Sequence, residues 1–171
     1  MSDSTTSSTD RELPFRPSVG IMLVNHHGLI WIGCRRPKWA EIGTEVWQMP
    51  QGGMLDGEPP EVAAVRELQE ETSVRSAVVI GSIREPLTYE LPPELIGVAL
   101  KGKFRGQIQR WFALRFLGED REIDIAGRDG KKAEFDTWKW ATFEQLLELT
   151  PDYRRSLYER VGHGLLPLVR N

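Results

Sequence analysis

The chain has 171 residues, of which 40% are hydrophobic and 27% are charged, and its formal net charge is −3. That length and composition fit one globular domain with its own core, and the acidic balance excludes a broad nucleic-acid-coating surface, so no DNA partner is expected. The single cysteine, Cys34, excludes an intrachain disulfide and a cysteine zinc cluster. Because no apolar run is long enough to span a bilayer and no signal-peptide pattern opens the chain, the sequence predicts a cytoplasmic protein without a membrane partner.

The N-terminal part of the chain reads as a polar tail followed by a hairpin. Residues 1–12 cannot bury enough apolar surface to offset the entropy of ordering, so we expect a disordered tail before a single domain over residues 13–171. Two β-rich runs, Val19–Val24 and Leu29–Cys34, flank the turn sequence Asn25–Gly28. The two adjacent histidines of this turn have no third ligand nearby, so we interpret them as solvated turn residues.

A short strand and a glycine-rich loop are predicted to lead into the first helix. The strand Val46–Met49 is stopped by Pro50, and the Gly52–Gly53 loop lets the backbone approach a phosphate closely. The helix begins near Pro59 and Pro60, because prolines are tolerated in a first turn. It ends near Thr72 and Ser73, where the helix propensity falls.

Three glutamates on this helix share one face. Glu67, Glu70 and Glu71 stand at spacings of three and four residues, so their carboxylates converge on one patch. Like charges at these spacings repel each other, and a hard cation such as Mg²⁺ or Mn²⁺ would relieve the repulsion. Acidic runs on helices are usually solvated faces, so the surrounding sequence must decide between the two interpretations.

The second half of the chain predicts more strands and two helices. The strands are Val78–Ile83, Gln109–Leu117 and Thr137–Trp140. Thr142 and Gln145 have the spacing of a capping box at the start of a short helix, and Thr150 followed by Pro151 has the form of a cap and first-turn proline before the last helix. The buried face of that helix is predicted to comprise Leu157, Val161 and Leu165. Mixed strands and helices favour a layered α/β architecture.

The acidic helix and the loop before it follow one long motif. The pattern is Gly, five residues, Glu, seven residues, Arg-Glu-apolar-x-Glu-Glu-x-Gly-apolar, and its matching positions are Gly52, Glu58, Arg66, Glu67, Leu68, Glu70, Glu71 and Val74. This segment resembles the Nudix box, with Ser73 standing where the family has glycine. The resemblance implies a Nudix fold, in which a mixed β-sheet is sandwiched between helices. The departure at Ser73 affects the turn that ends the helix and no chemical group of the motif.

Further segments resemble one Nudix subgroup, the bacterial RNA pyrophosphohydrolases and dinucleoside oligophosphate hydrolases. They are Phe15–Gly20, Trp47–Gly53, Tyr89–Pro92, Gly106–Phe112 and Glu134–Trp140. The resemblance implies substrate contacts, with Arg16 and Arg36 the stronger candidates and Tyr89, Gln107 and Gln109 the weaker ones. Each arginine has the alternative interpretation of an exposed surface residue.

The resemblance also implies a metal centre. The expected ligands of Mg²⁺, or of Mn²⁺ in its place, are Glu67, Glu70, Glu71, Glu134 and the Gly52 carbonyl. Water is the attacking group, and the general base is Glu70 or Glu67. Arg66 is expected to pair with Glu58 and to support the helix and loop rather than act in catalysis.

Three functions remain open from the sequence. The favoured one removes pyrophosphate, or successive phosphates, from the 5′-triphosphate end of RNA, because the stretch Lys101–Gln107 is basic and contains an aromatic residue. The alternative is hydrolysis of diadenosine tetra- or pentaphosphate to ATP and a nucleotide. The third is a catalytically silent nucleotide-binding module, which is disfavoured because all the acidic motif positions are present.

Overall fold

The computed structural model describes residues 13–35, 45–127 and 130–170. The strands are β1 (Phe15–Val24), β2 (Ile30–Arg35), β3 (Val46–Gln48), β4 (Gln51–Gly53), β5 (Ala77–Glu90), β6 (Gly106–Phe116) and β7 (Thr137–Ala141). The α-helices are α1 (Pro60–Thr72), α2 (Phe143–Leu149) and α3 (Asp152–Val169). The tail predicted over residues 1–12, and Arg36, lie outside the described residues. None of the described helices is both long enough and apolar enough to cross a membrane.

The strands form one mixed sheet in the order β3-β2-β1-β6-β5, with β4 paired to β1 and β7 to β2. The central pair, β1 and β6, is parallel and runs in register along the whole of β1. The pair of Val24 with Ile30 closes the predicted hairpin, and Gly28 adopts a φ of 76° in its turn. Strand β5 continues to Glu90, beyond the predicted end at Ile83, through irregularities that accommodate Gly81 and Pro86.

Helices cover both faces of this sheet, as the α/β/α prediction requires. Alternate residues of β1 point to opposite faces. Val19 and Ile21 belong to the core under α1, whereas Met22 belongs to the core under α2 and α3. All three predicted apolar residues of α3, namely Leu157, Val161 and Leu165, are buried in the second core. The sheet therefore has a hydrophobic layer on each side, and the fold prediction is confirmed.

The Gly52–Gly53 segment is a strand and not the predicted loop. In β4, Gly52 is paired with Val19 and Gly53 with Ser18 of β1. The neighbouring backbone groups extend this pairing, since the Met54 amide donates to the Pro17 carbonyl at 3.2 Å. The prediction was wrong because β1 is longer than its apolar run and offers backbone partners to the glycines.

Helix α1 begins and ends where the sequence predicts. Pro59 is its N-cap and Thr72 is its last residue. Ser73 follows in the left-handed conformation, with a φ of 66°, and its amide donates to the Gln69 carbonyl. The Ser73 hydroxyl also donates to the Asp124 carbonyl at 2.8 Å, an interaction that the sequence did not indicate.

The two C-terminal helices meet at a threonine. The capping box of α2 is present as predicted, between Thr142 and Gln145. The prediction that Thr150 caps α3 is wrong, because Thr150 is the C-cap of α2 and Pro151 is the N-cap of α3. The Thr150 hydroxyl donates to the Leu146 carbonyl one turn back, so it is already used by the preceding helix.

Candidate active site

Arg66 connects the start of α1 to strand β4. Its guanidinium donates two hydrogen bonds to the Glu58 carboxylate, at 2.8 and 2.9 Å, and a third to the Gly53 carbonyl at 2.9 Å. The hydrogen bond from Arg66 lowers the pKa of Glu58. A bidentate arginine–carboxylate pair fixes both partners in orientation as well as in distance, so Arg66 sets the position of the helix against the glycine strand.

Glu67 lies against Gly52. A Cβ atom added at Gly52 would overlap the Glu67 carboxylate, so glycine at this position makes the close approach possible. The Nη1 atom of Arg66 donates to Glu67 at 2.8 Å and to Glu70 at 3.2 Å. Burial raises the pKa of Glu67 although the hydrogen bond from Arg66 opposes the rise.

Glu71 is the most perturbed of the three helical glutamates. Its Oε2 atom is buried and has no hydrogen-bond partner within the part of the chain that the structure describes. Burial raises the pKa of Glu71 well above the ordinary value, and the negative charges of Glu134 and Glu67 add to the rise. The backbone amide of Gln51 donates to this carboxylate and opposes the shift. A carboxylate held among other carboxylates is electrostatically suited to a cation.

Three of the predicted metal ligands, Glu67, Glu70 and Glu134, form ion pairs with cationic side chains. Glu70 accepts from Lys131 at 3.1 Å, and Glu134 pairs with Arg35 at 2.8 Å. Among residues 13–35, 45–127 and 130–170, no group of three or more acidic, histidine or cysteine side chains is arranged to hold a metal ion as it stands. The ion pairs with Arg66, Lys131 and Arg35 account for this arrangement, because each takes a carboxylate oxygen that a cation would need.

A small polar pocket of about 60 Å³ adjoins the acidic cluster. Its lining residues are Arg16, Arg35, Gln51, Tyr89, Leu91, Ala99, Leu100, Gln107, Glu134, Tyr153 and Arg154. Three of the predicted substrate contacts, Arg16, Tyr89 and Gln107, thus lie with Glu134 around one cavity. Arg16 packs against Gly53, where a Cβ would clash with its guanidinium. The two glycines of β4 therefore admit Glu67 and Arg16, respectively.

Gln109 does not reach this pocket. Its side chain is fully buried, donates to Gln51 at 3.0 Å and accepts from the Trp111 indole at 3.2 Å. Both ends of the amide are therefore used inside the protein. The structure gives Gln109 the position of a support for Gln51, which itself lines the pocket.

Arg154 is a residue of the site that the sequence prediction missed. It is 3% exposed, and it donates to Gln48 at 2.9 Å and to the Tyr89 hydroxyl at 3.4 Å. Within residues 13–35, 45–127 and 130–170, its buried Nε atom has no hydrogen-bond partner and no carboxylate forms an ion pair with it. The signal was present in the sequence, because Arg154 lies three residues before Leu157 on the buried face of α3. A charged residue on an apolar stripe is a candidate for function.

The comparisons with known proteins agree with this geometry. The chain matches the NUDIX domain family over residues 14–161. It is 48% identical to an RNA pyrophosphohydrolase of Agrobacterium fabrum over 155 residues, which cover 88% of this chain and 91% of that protein. It is 46% identical to an RNA pyrophosphohydrolase of Mesorhizobium japonicum, over 96% of this chain and 98% of the relative. The protein belongs to the NUDIX domain family.

Solved structures of low sequence identity show the same fold. A MutT protein from Methanosarcina mazei superposes with a TM-score of 0.64 at 22% identity, covering 90% of this chain and 96% of its own. A C. elegans Ap4A hydrolase in a binary complex superposes with a TM-score of 0.58 at 18% identity, covering 89% of this chain and 98% of its own. The mixed sheet between helices is therefore the fold of this protein and of both neighbours.

Proposed function

We propose that this protein hydrolyses a phosphoric anhydride bond at the 5′-triphosphate end of RNA, releasing pyrophosphate or successive phosphates. The observation that carries the proposal is the contact between two oppositely charged regions: the carboxylates of Glu67, Glu71 and Glu134, and the pocket that contains Arg16 and Arg154. Relatives 46% and 48% identical to the chain over most of its length are RNA pyrophosphohydrolases, which supports the same choice of substrate.

The acidic cluster has the donor chemistry of a divalent-cation site. Nudix hydrolases generally use divalent cations. The Oε2 atom of Glu71, which has no partner among the described residues, is an oxygen ligand of the kind that Mg²⁺ prefers. The residues that would hold Mg²⁺ or Mn²⁺ are Glu67, Glu70, Glu71, Glu134 and the Gly52 carbonyl. When bound, such a cation supplies charge neutralisation on phosphate oxygens and a lower pKa for water.

Glu70 and Glu67 are the two candidates for the general base. The Glu70 side chain is 33% exposed and Glu67 is 12% exposed. Both accept from the same Arg66 atom, which orients them; the second oxygen of Glu67 is proposed to take a proton from the attacking water, whereas the second oxygen of Glu70 is paired with Lys131. If the ion pair between Lys131 and Glu70 opened, the second carboxylate oxygen of Glu70 could also accept the proton.

The side chains that line the polar pocket are proposed to contact the phosphates and the first nucleotide. Arg16 and Arg154 carry donors for phosphate oxygens, and the Arg154 Nε atom has no partner among the described residues. Tyr153 and Tyr89 supply flat surfaces beside these donors, and Gln107 donates to the Tyr89 hydroxyl at 2.7 Å, which fixes that ring. Arg36, which lies outside the described residues, remains a proposed contact from the family resemblance.

The test is turnover of matched substrates with Mg²⁺ and with a chelator. Triphosphate RNA, diphosphate RNA, diadenosine tetraphosphate and free ATP should be compared at one salt concentration. We expect kcat/KM for triphosphate RNA to exceed that for diadenosine tetraphosphate at least tenfold, a difference of about 1.4 kcal/mol. The reverse preference would establish the dinucleoside alternative, and no metal-dependent phosphate release from any substrate would indicate a silent binding module.

A further inference from the structure

A second cavity lies beside the polar pocket. Its volume is about 300 Å³, and Arg16, Leu100, Lys101, Lys103 and Phe104 line it. Arg16 and Leu100 line both cavities, so the two cavities are adjacent. An RNA chain whose 5′ end contacts the residues of the polar pocket would therefore have its next nucleotides close to the second cavity.

The loop between β5 and β6 that forms this cavity is held in place by backbone hydrogen bonds and a buried side chain. Its ends are joined by the Leu91 amide, which donates to the Arg105 carbonyl at 2.8 Å, and the Arg105 amide donates to the Pro14 carbonyl at 3.0 Å. Ala99, in the middle of the loop, is buried in the core under α3. The interpretation of this basic stretch as a merely solvated loop therefore does not fit its contacts.

The backbone of the loop is strained where it lines the cavity. Leu100 and Lys101 have φ values of 53° and 58°, and Gly102 follows with 70°. Such strain persists only where surrounding contacts impose it, and it is concentrated at ligand sites. Here it turns Lys101 toward the same cavity that Lys103 and Phe104 line.

The lining has the chemistry of a single-stranded nucleic acid site. Three of its five residues are cationic, and none is acidic. Phe104 is only half-buried and is a member of neither described hydrophobic core. An aromatic ring with basic neighbours binds a base by stacking and its phosphate by charge, largely independently of sequence.

We infer that this cavity is a subsite for a ribonucleotide beyond the first, with its base against Phe104 and its phosphate near Lys101 and Lys103. This inference rests on the proposed function and adds to it a place for the RNA chain. Arg105 is not part of the subsite, because it pairs with Glu90 and stacks over Phe15 at 4.9 Å, contacts that hold the loop in place. The inferred subsite gives the enzyme a means to distinguish an RNA from a lone nucleotide.

The experiment compares 5′-triphosphate oligoribonucleotides of one to four nucleotides with the same first base. In the unchanged protein, kcat/KM should rise at the length that first fills the cavity. Phe104→Leu keeps apolar bulk and removes the stacking face, so it should lower kcat/KM for the tetranucleotide about tenfold and leave the nucleoside triphosphate unchanged. Val98→Ala, at an exposed position of the same loop outside the lining, should alter neither.

The charges are tested separately by salt dependence. Lys101→Asn with Lys103→Gln removes both charges, and asparagine tolerates the left-handed backbone at position 101. The slope of log(kcat/KM) against log[salt] for the tetranucleotide should become shallower by about 0.7 for the loss of one phosphate contact. An unchanged slope, or an equal loss of activity at every substrate length for either variant, would overturn the subsite.

Failure of the proposed function has a different signature. If the unchanged protein released no phosphate from any triphosphate RNA, the proposed function would be wrong. Fluorescence anisotropy with a labelled 5′-hydroxyl tetranucleotide would then decide the subsite by itself. Weaker binding by Phe104→Leu than by Val98→Ala would support it, and equal binding would refute it.

Discussion

Helices α1 and α3 lie on opposite faces of the same sheet and carry opposite excess charge. On α1, the carboxylates of Glu67 and Glu70 share one atom of Arg66, while Glu71 is buried without a cationic hydrogen-bond partner among the described residues. On α3, Arg154 is buried between the Gln48 amide and the rings of Tyr89 and Tyr153. No carboxylate among the described residues forms an ion pair with it. Neither excess charge is neutralised by the other helix.

The difference indicates what each helix is for. Buried charges are normally paired, since desolvation of an unpaired charge is costly. An unbalanced acidic group on α1 and an unbalanced basic group on α3 are therefore suited to external partners, a cation on one side and a phosphate on the other. The glycine strand β4 admits the Glu67 side chain of α1 at Gly52 and the Arg16 side chain of β1 at Gly53.

The largest expected effect comes from the α1 carboxylates. Glu67→Gln and Glu70→Gln keep size and helix propensity but remove charge and basicity, so kcat should fall at least about 100-fold. Glu61→Gln, on the exposed first turn of α1, is the matched control and should keep full activity. Near-normal turnover of both site variants at saturating Mg²⁺ would show that the reaction occurs elsewhere.

A methyl group at position 52 should displace the Glu67 carboxylate of the acidic cluster by steric overlap alone. In Gly52→Ala the new Cβ overlaps the Glu67 carboxylate, so activity should fall about tenfold or more and stability by about 1–3 kcal/mol. Shortening the neighbour should restore stability without restoring activity. If Gly52→Ala/Glu67→Ala, measured by denaturant unfolding, were no more stable than Gly52→Ala, the steric explanation would fail.

The basic side is tested at Arg154. Arg154→Gln should raise KM for triphosphate RNA about tenfold with a smaller change in kcat, since hydrogen bonds to charged groups contribute about 1.5–3 kcal/mol. Arg154→Lys keeps the charge, so its KM should lie between those of the unchanged protein and Arg154→Gln. Arg155→Gln, at the next position and paired with Asp152, is the control. Steady-state kinetics showing a loss in kcat alone would place Arg154 outside substrate binding.

The buried carboxylate of Glu71 should be visible in metal-free stability. Burial raises the folded-state pKa of Glu71 above its unfolded value, so the folded state holds the proton more tightly. Stability should therefore fall as the pH rises from the ordinary glutamate pKa through the raised one. Glu71→Gln removes this dependence and should stabilise the protein at neutral pH by about 1 kcal/mol while abolishing activity. If the free energy of unfolding changed equally with pH in both proteins between pH 4 and about 8, this expectation would be contradicted.

The smallest effect is expected at Ser73. Glycine would relieve the strain of a φ of 66°, by up to about 1 kcal/mol. It would also remove the hydroxyl hydrogen bond to Asp124, which contributes about 0.5–1.5 kcal/mol. Ser73→Gly should therefore change stability by less than about 0.5 kcal/mol, and Ser73→Ala, which loses the hydrogen bond and keeps the strain, should be less stable than both. A large gain in the melting midpoint of Ser73→Gly would show that the hydrogen bond contributes little.

Local patterns in the sequence were sufficient for α1 and for the Glu67–Glu70–Glu71 face. Helix periodicity, first-turn prolines and a left-handed end all act within a few residues, so the bounds Pro60–Thr72 were predictable without the rest of the chain. The hairpin at Gly28 and the capping box at Thr142 were predictable for the same reason. The chemical roles of these glutamates remain predictions.

Only the tertiary structure decided which distant side chains meet. Arg16, Tyr89 and Arg154 surround one pocket because the β1–β6 register and the packing of α3 bring their separate segments together. The strand at Gly52 and the Asp124 partner of Ser73 likewise depend on neighbours far away in the sequence. Short-range periodicity specifies which face of an element a residue occupies, whereas sheet register and helix packing specify what that face contacts.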